Sequence, residues 1–299
     1  MDTPIRIDSR FPHMGTTIFT VMSRMAAECG AINLSQGFPD FQAEPALFAA
    51  MDRHMRAGRN QYAPMAGMPE LRQGIVDKVA ALYGTRFDVD SEVTVTAGAT
   101  QAIFTAIAAF VRPGDEVIVF EPVYDSYVPA IETVGGKALP AQLRFPGYAP
   151  DWAQVAALIT PKTRMIIVNS PHNPTGSLLT AVDLEKLAEI VRGGDIVVLS
   201  DEVYEHIVFD GQRHASLCGH PELAARSIVV SSFGKTYHIT GWKIGYVVGP
   251  AGLMAEFRKV HQFNVFTVHT PSQLALADYM QDASRHLGLA AFYQEKRDF

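Results

Sequence analysis

Cysteine is almost absent from this chain: Cys29 and Cys218 are the only two. One pair at most builds no disulfide framework, which fits a reducing cytoplasm. No Cys-x-x-Cys pair occurs, and the ten histidines are scattered, with no His-x-x-x-His pair beside a glutamate. Metal chemistry therefore has no obvious ligand set. Lys/Arg-rich runs are missing too, and the formal net charge is −6, so nucleic acid and anionic membranes are poor partners. Apolar runs are no longer than strands, which excludes a membrane-spanning helix. The opening Met1-Asp2-Thr3-Pro4-Ile5-Arg6 lacks the apolar core of a signal peptide. There is no internal repeat and no low-complexity tract.

What is present is ordinary globular composition, 48% hydrophobic and 19% charged over 299 residues, with room for a large core and a second, smaller domain. Strand and helix signals alternate. Pro69 to Tyr83 has helical spacing, with Leu71, Ile75, Val79 and Leu82 on one face, Pro69 in the first turn and Gly84 as a stop. Val93–Thr96 is a short strand, followed by an apolar helix over Ala102–Val111. Glu116–Phe120, Met165–Val168, Ile196–Ser200, Ile228–Ser231 and Ile244–Val248 read as further strands. Thr180 with Asp183 forms a capping-box pattern, opening a helix that Gly193-Gly194 closes. Continuous Val/Ile strands separated by helices predict an α/β protein: three αβα layers around a mostly parallel central sheet. Phe292 to Phe299 reads as mid-helix without a stop signal, which points to a chain cut short.

In such sheets, ligands gather at the carboxyl ends of the strands, and chemistry-bearing residues fall there. Gly98-Ala99-Thr100 follows the first strand and opens a helix, so a phosphate could approach its backbone N–H groups, although small residues begin many helices. Asn169-Ser170-Pro171-His172-Asn173-Pro174-Thr175-Gly176 is a rigid loop presenting Asn173, either to a ligand or as a structural turn. Asp201 ends an apolar strand, and a buried carboxylate demands a cationic or hydrogen-bonding partner that no nearby residue supplies. A protonated heterocyclic nitrogen would serve, with Tyr204 beside it for a phenolate-like oxygen; the alternative is a capping role for Asp201. Ser232 and Lys243 can hold a phosphate. Lys235 then remains for covalent work, since a desolvated primary amine sheds its proton and can form a Schiff base with an aldehyde. Alone, Lys235 would read as a surface loop lysine. Together these groups match the needs of a pyridine aldehyde phosphate. His172, His206 and His238 lie near these motifs and read as structural or supporting.

The chain resembles pyridoxal-phosphate enzymes of fold type I, and within them the class I aminotransferases, most closely the methionine/kynurenine branch. The motifs are Asn33-Leu34-Ser35-Gln36-Gly37-Phe38-Pro39-Asp40, Asn60-Gln61-Tyr62-Ala63-Pro64, Ser170–Gly176, Ser200-Asp201-Glu202-Val203-Tyr204-Glu205 and Ser231-Ser232-Phe233-Gly234-Lys235-Thr236. They span nearly the whole chain, from about Gly15 to Phe299. The segments Gly234–Gly245 and Lys259-Val260-His261-Gln262-Phe263 look especially like bacterial methionine aminotransferases. The resemblance implies that Lys235 bonds the cofactor as a Schiff base and shuttles the substrate proton through ping-pong half-reactions. It implies that Asp201 pairs with the ring nitrogen, that Asn173 and Tyr204 hydrogen-bond the ring oxygen, and that Tyr124 stacks on the ring. Ala99, Thr100, Ser232 and Lys243 would hold the phosphate; some relatives carry arginine where Lys243 stands. Tyr62 would reach the cofactor phosphate of the other subunit of a homodimer, and Gly37 and Asn173 would contact the substrate.

The resemblance also implies an N-terminal arm with part of a small domain over 1–44, a large pyridoxal-phosphate-binding domain over 45–284, and the start of a truncated small domain over 285–299. Met14, Phe19, Met22 and Met25 read as an arm packing on the dimer partner rather than a cofactor box, although such an arm could also line a substrate pocket. The family's longer chains carry, in their C-terminal small domain, an arginine for the substrate carboxylate, which nothing here matches; without that domain, poor solubility is expected. The expected activity moves the amino group of methionine or another large neutral or aromatic amino acid to a 2-oxo acid. A β-lyase acting on cysteine S-conjugates or cystathionine shares the scaffold, and a non-catalytic cofactor-binding fragment is the remaining alternative.

Overall fold

The computed structural model describes residues 5, 7–12, 14–37 and 39–299. Phe38 of the Asn33–Asp40 motif, and Met1–Pro4 and Arg6 of the opening hexapeptide, lie outside these residues. The chain divides into two compact units, Met1–Gln42 and Ala43–Phe299. The first carries a helix, Ile18–Glu28, that buries none of its side chains. Thr17 opens it, its hydroxyl accepting from the Thr20 N–H at 3.3 Å. Met14, Met22 and Met25 are exposed.

The second unit is built on a seven-stranded sheet. Its strands are β1 (Val93–Thr96), β2 (Glu116–Glu121), β3 (Lys137–Gln142), β4 (Thr163–Asn169), β5 (Val197–Asp201), β6 (Ser227–Ser232) and β7 (Gly245–Val248). Their order is β1-β7-β6-β5-β4-β2-β3. Neighbours from β6 to β3 pair in parallel, whereas β7 runs antiparallel to both β1 and β6. The mostly parallel sheet expected from the Val/Ile runs is therefore present, with one reversed strand. β3 carries no such run: Pro140 interrupts it, and it is tolerated because β3 lies at the sheet edge.

Pleating divides the apolar residues between two cores. Ile118, Ile166, Val168, Val198, Val229, Tyr246 and Val248 face a core shared with Leu47, Leu71, Ile75, Leu184 and Leu187. Val117, Met165, Ile167, Leu199, Val230 and Val247 face the other, with Ile103, Ile107, Ile131, Met254 and Phe257. Strands buried on both faces need unbroken apolar sequence, and that is why these were legible. Local codes are obeyed as well. Thr180 and Asp183 cap each other at the start of helix Ala181–Val191, and Gly84 ends helix Pro69–Tyr83 at φ +79°. The helix expected from Ala102 begins earlier, at Gly98.

One core contains a charged knot. Glu205, fully buried, accepts from Lys78 Nζ at 2.6 Å, Tyr83 Oη at 2.6 Å, Ser231 Oγ at 2.7 Å and Tyr246 Oη at 3.2 Å. Burial alone would raise its pKa, but the Lys78 charge and the donated hydrogen bonds outweigh burial and hold it well below the usual carboxylate range. Breaking such a pair strands a charge in the interior. We expect Lys78→Met to cost about 3–5 kcal/mol in urea unfolding. Because the pKa of Glu205 is depressed, its contribution is present above the unfolded carboxylate value and is lost as pH falls through the folded one. Without the Lys78 charge the pKa of Glu205 moves up, so the cost of Lys78→Met should shrink as pH falls and the unfolding curves of the two proteins should converge in acid.

Candidate active site

The carboxyl ends of β4, β5 and β6 lie side by side, with Asn169 opposite Asp201 and Asp201 opposite Val230. β7 runs the other way, so its first residue lies among these ends: Gly245 pairs with Thr96 of β1 and with Ser232 of β6. Two residues before it, Lys243 adopts a left-handed backbone, φ +55°. The reversal brings the Lys243 side chain over Gly98, where a Cβ would lie only 3.3 Å from its Cε and 3.4 Å from its Nζ. Gly98 has φ +76°, and Gly245 has no room for a side chain, since a Cβ there would meet Ser231 O at 2.7 Å. Two glycines thus permit close approach of a turn, a strand start and a lysine.

The helix Gly98–Phe110, whose first residues are Gly98, Ala99 and Thr100, begins with no side-chain cap at the end where Lys243 approaches Gly98. Ser232 Oγ stands at the adjacent strand end and caps the short helix Phe233–Thr236, accepting from the Gly234 N–H at 3.2 Å. Uncapped N–H groups at the positive end of a helix, a hydroxyl and an ammonium form a donor set suited to a phosphate.

Lys235 projects from that short helix, half-buried, with Nζ 5.6 Å from the centroid of the Tyr204 ring. Burial, and then the charge of Lys243, lower its pKa below the ordinary lysine value. Tyr204 follows β5, its phenol pushed up to about 12 by burial and by the Asp201 charge. Asn173 is held from behind: its N–H donates to Asn169 Oδ1 at 2.7 Å, while Asn169 Nδ2 donates to the Asp201 carbonyl at 2.9 Å. Tyr124 is half-buried, its pKa raised by burial and partly offset by a hydrogen bond with Thr100.

Asp201 is 5% exposed. Its Oδ2 accepts from Tyr127 Oη at 2.6 Å and its Oδ1 from the Val203 N–H at 3.2 Å. The missing partner therefore exists, on the helix Tyr127–Thr133, far away in sequence. Among the described residues no basic side chain forms an ion pair with Asp201, and Glu202 repels it. Burial dominates, and the acid is raised to about 6 despite the two donors.

Tyr62 stands on an exposed face, its ring edge-on to Phe266 at 5.5 Å. Gly37 belongs to the N-terminal unit. His172 bonds Thr175, and burial lowers its pKa to about 4; His206 lies against Glu205, and its pKa is lowered to about 3, mainly by burial. Asn169, Tyr127 and Glu205 were missed from the sequence. Asn169 and Glu205 lie inside recognised motifs, but nothing in Tyr127 itself signals a link to Asp201.

Residues 30–299 match the family model for aminotransferase class I and II. The chain belongs to that family and is a transaminase by fold and sequence. It is 51% identical over 298 residues to the methionine aminotransferase of Escherichia coli strain K12, covering 99% of this chain and 77% of that protein. It is 42% identical to a probable N-succinyldiaminopimelate aminotransferase of Mycobacterium tuberculosis, covering 90% of this chain and 68% of the relative. The solved structure of YbdL from E. coli, identified with a methionine aminotransferase function, superposes with TM-score 0.95 at 50% identity, covering 99% of this chain and 77% of that one.

A carboxyl raised from 3.8 to about 6 binds its proton more tightly folded than unfolded. In the cofactor-free protein its contribution to stability is therefore full at low pH and is lost as pH rises between those values, by roughly 3 kcal/mol. Asp201→Asn should remove this slope, so unfolding curves of the two proteins measured across that window should diverge.

Proposed function

We propose that this transaminase binds pyridoxal 5′-phosphate at the strand ends and transfers the amino group of methionine, or of another large neutral or aromatic amino acid, to a 2-oxo acid. The observation that carries the reading is Asp201: a buried carboxylate without a basic partner, beside a desolvated lysine and an uncapped helix start. The donor set fits the cofactor group by group. Ala99 and Thr100 N–H groups, Ser232 and Lys243 would hold its phosphate. Asp201 would hold the proton on its ring nitrogen, Asn173 and Tyr204 would donate to its ring oxygen, and Tyr124 would cover its face. When bound, the cofactor supplies an electron sink for the charge left at the substrate Cα as its proton departs.

The chain's own contribution is positioning and proton movement. Lys235, with its basicity lowered by burial and then by the Lys243 charge, gives up its proton more readily than an ordinary lysine and can take the Cα proton. Lys243 repels positive charge at Lys235, so one lysine binds while the other reacts. The methionine preference rests on the 51% identical relative. Gly37 lining the substrate carboxylate, Tyr62 serving a partner's site in a homodimer, and cytoplasmic residence are parts of the same proposal. So is the division into an arm over 1–44, a cofactor domain over 45–284 and a small domain beginning at 285. Among the described residues no helix is long and apolar enough to cross a membrane.

An absorption spectrum with pyridoxal phosphate, before and after methionine, tests the proposal. We expect a near-visible band in the wild type that methionine shifts and that Lys235→Ala lacks, with turnover reduced by orders of magnitude. Formation of 2-oxo acid with the amine moved supports transfer; pyruvate and a thiol from a cysteine S-conjugate would instead establish elimination. No band in the wild type would overturn the reading.

A further inference from the structure

Asp201 poses a problem that its position alone does not solve. Burial favours its neutral form, and neighbouring Glu202 makes the anion costlier still. An acid that keeps the proton for itself cannot maintain one on a ring nitrogen. The groups facing it are Tyr127 from the helix below, the Val203 N–H and Glu202 from its own strand end, and Tyr124 and Tyr204 from flanking loops. None is basic.

Tyr127 is the closest of these. It opens the helix Tyr127–Thr133, is 3% exposed, and packs in the core with Ile131, Val119 and Leu199. Its hydroxyl reaches Asp201 Oδ2 at 2.6 Å. Its ring meets Tyr124 edge-on, with centroids 5.6 Å apart and planes at 70°. One rigid side chain therefore abuts both the acid assigned to the ring nitrogen and the aromatic ring assigned to the cofactor face. Burial, and then the Asp201 charge, push the phenol well above the ordinary tyrosine value, so it stays a donor.

We propose that Tyr127 is a positioning residue: by donating to Asp201 Oδ2 it keeps that carboxylate ionised and aimed, and thereby keeps the proton on the ring nitrogen of the bound cofactor. This rests on the pyridoxal-phosphate reading above. The physical basis is that a hydrogen bond to the charged form makes a carboxylate a weaker base, most strongly in a dry site. Without the phenol, the carboxylate competes better for the shared proton. A tyrosine that merely filled space would leave the proton where it was.

The test loads the protein with pyridoxal phosphate labelled with nitrogen-15 in the ring and reads the ring nitrogen by NMR. Measurement is made near neutral pH, where the ring nitrogen and the carboxyl share one proton, so the signal reports which of them holds it. Tyr127→Phe keeps the ring and deletes the donor; we expect its signal to move toward the unprotonated limit, with cofactor affinity weakened about tenfold. Difluorotyrosine at position 127 keeps the shape and donates more strongly; its signal should move toward the protonated limit, and this variant decides the matter should the phenylalanine protein fail to fold. An unchanged nitrogen signal in whichever variants bind the cofactor overturns this assignment alone. A wild type that takes up no cofactor overturns both the assignment and the reading beneath it.

Discussion

A carboxylate placed in a dry interior must be given company, and two that lie close together at the end of β5 receive it differently. Glu205 is surrounded: an ammonium and three hydroxyls satisfy it, and its negative charge is secure. Asp201 receives one phenol and one backbone amide, and its charge is marginal. The first arrangement is complete without any ligand and ties helix Pro69–Tyr83 to β6 and β7 through Lys78, Ser231 and Tyr246. The second is unfinished, and a cationic ring nitrogen would finish it. The same desolvation therefore yields a structural anchor in one case and, on the proposed reading, a place for a cation in the other.

Around that contrast the sheet sets groups of opposite charge on either side of one site. Acid and amide stand at the tips of β5 and β4, whereas the lysines come from the short helix after β6 and the turn before β7. The antiparallel β7 makes this possible. A seventh parallel strand would have carried residues 243–245 to the opposite edge of the sheet, away from Gly98 and Ser232. With the reversal, the turn that opens the helix Gly98–Phe110 and the Lys243 ammonium share one small volume.

Much of this was legible in the sequence, for identifiable reasons. β4, β5 and β6 are buried on both faces, so their apolar runs are continuous, and the polar residue that breaks each run marks the site. Asp201 and Lys235 could be found by that rule, and Asn173 by the Pro/Gly density of its loop. The capping box at Thr180 and the stop at Gly84 are local codes. What could not be read was long-range. Lys78 meets Glu205 across 127 residues and Tyr127 meets Asp201 across 74. The backbone direction of β7 leaves no trace in a short apolar run, and β3 disguises itself with Pro140 and exposed positions. Motifs revealed the groups that would touch a ligand, while the groups that hold them were hidden in pairings made only on folding.

The pleat of β5 has a further consequence. Ser200, Asp201 and Glu202 succeed one another, and Glu202 already has its own partners in Ser200 Oγ, His214 Nε2 and the Leu217 N–H. Inserting or deleting one residue within the strand would exchange its two faces and offer the site a different side chain altogether. Length changes should therefore accumulate in the exposed connections of this protein, and the stretch from Val197 to Glu202 should keep its residue count even where its apolar identities drift.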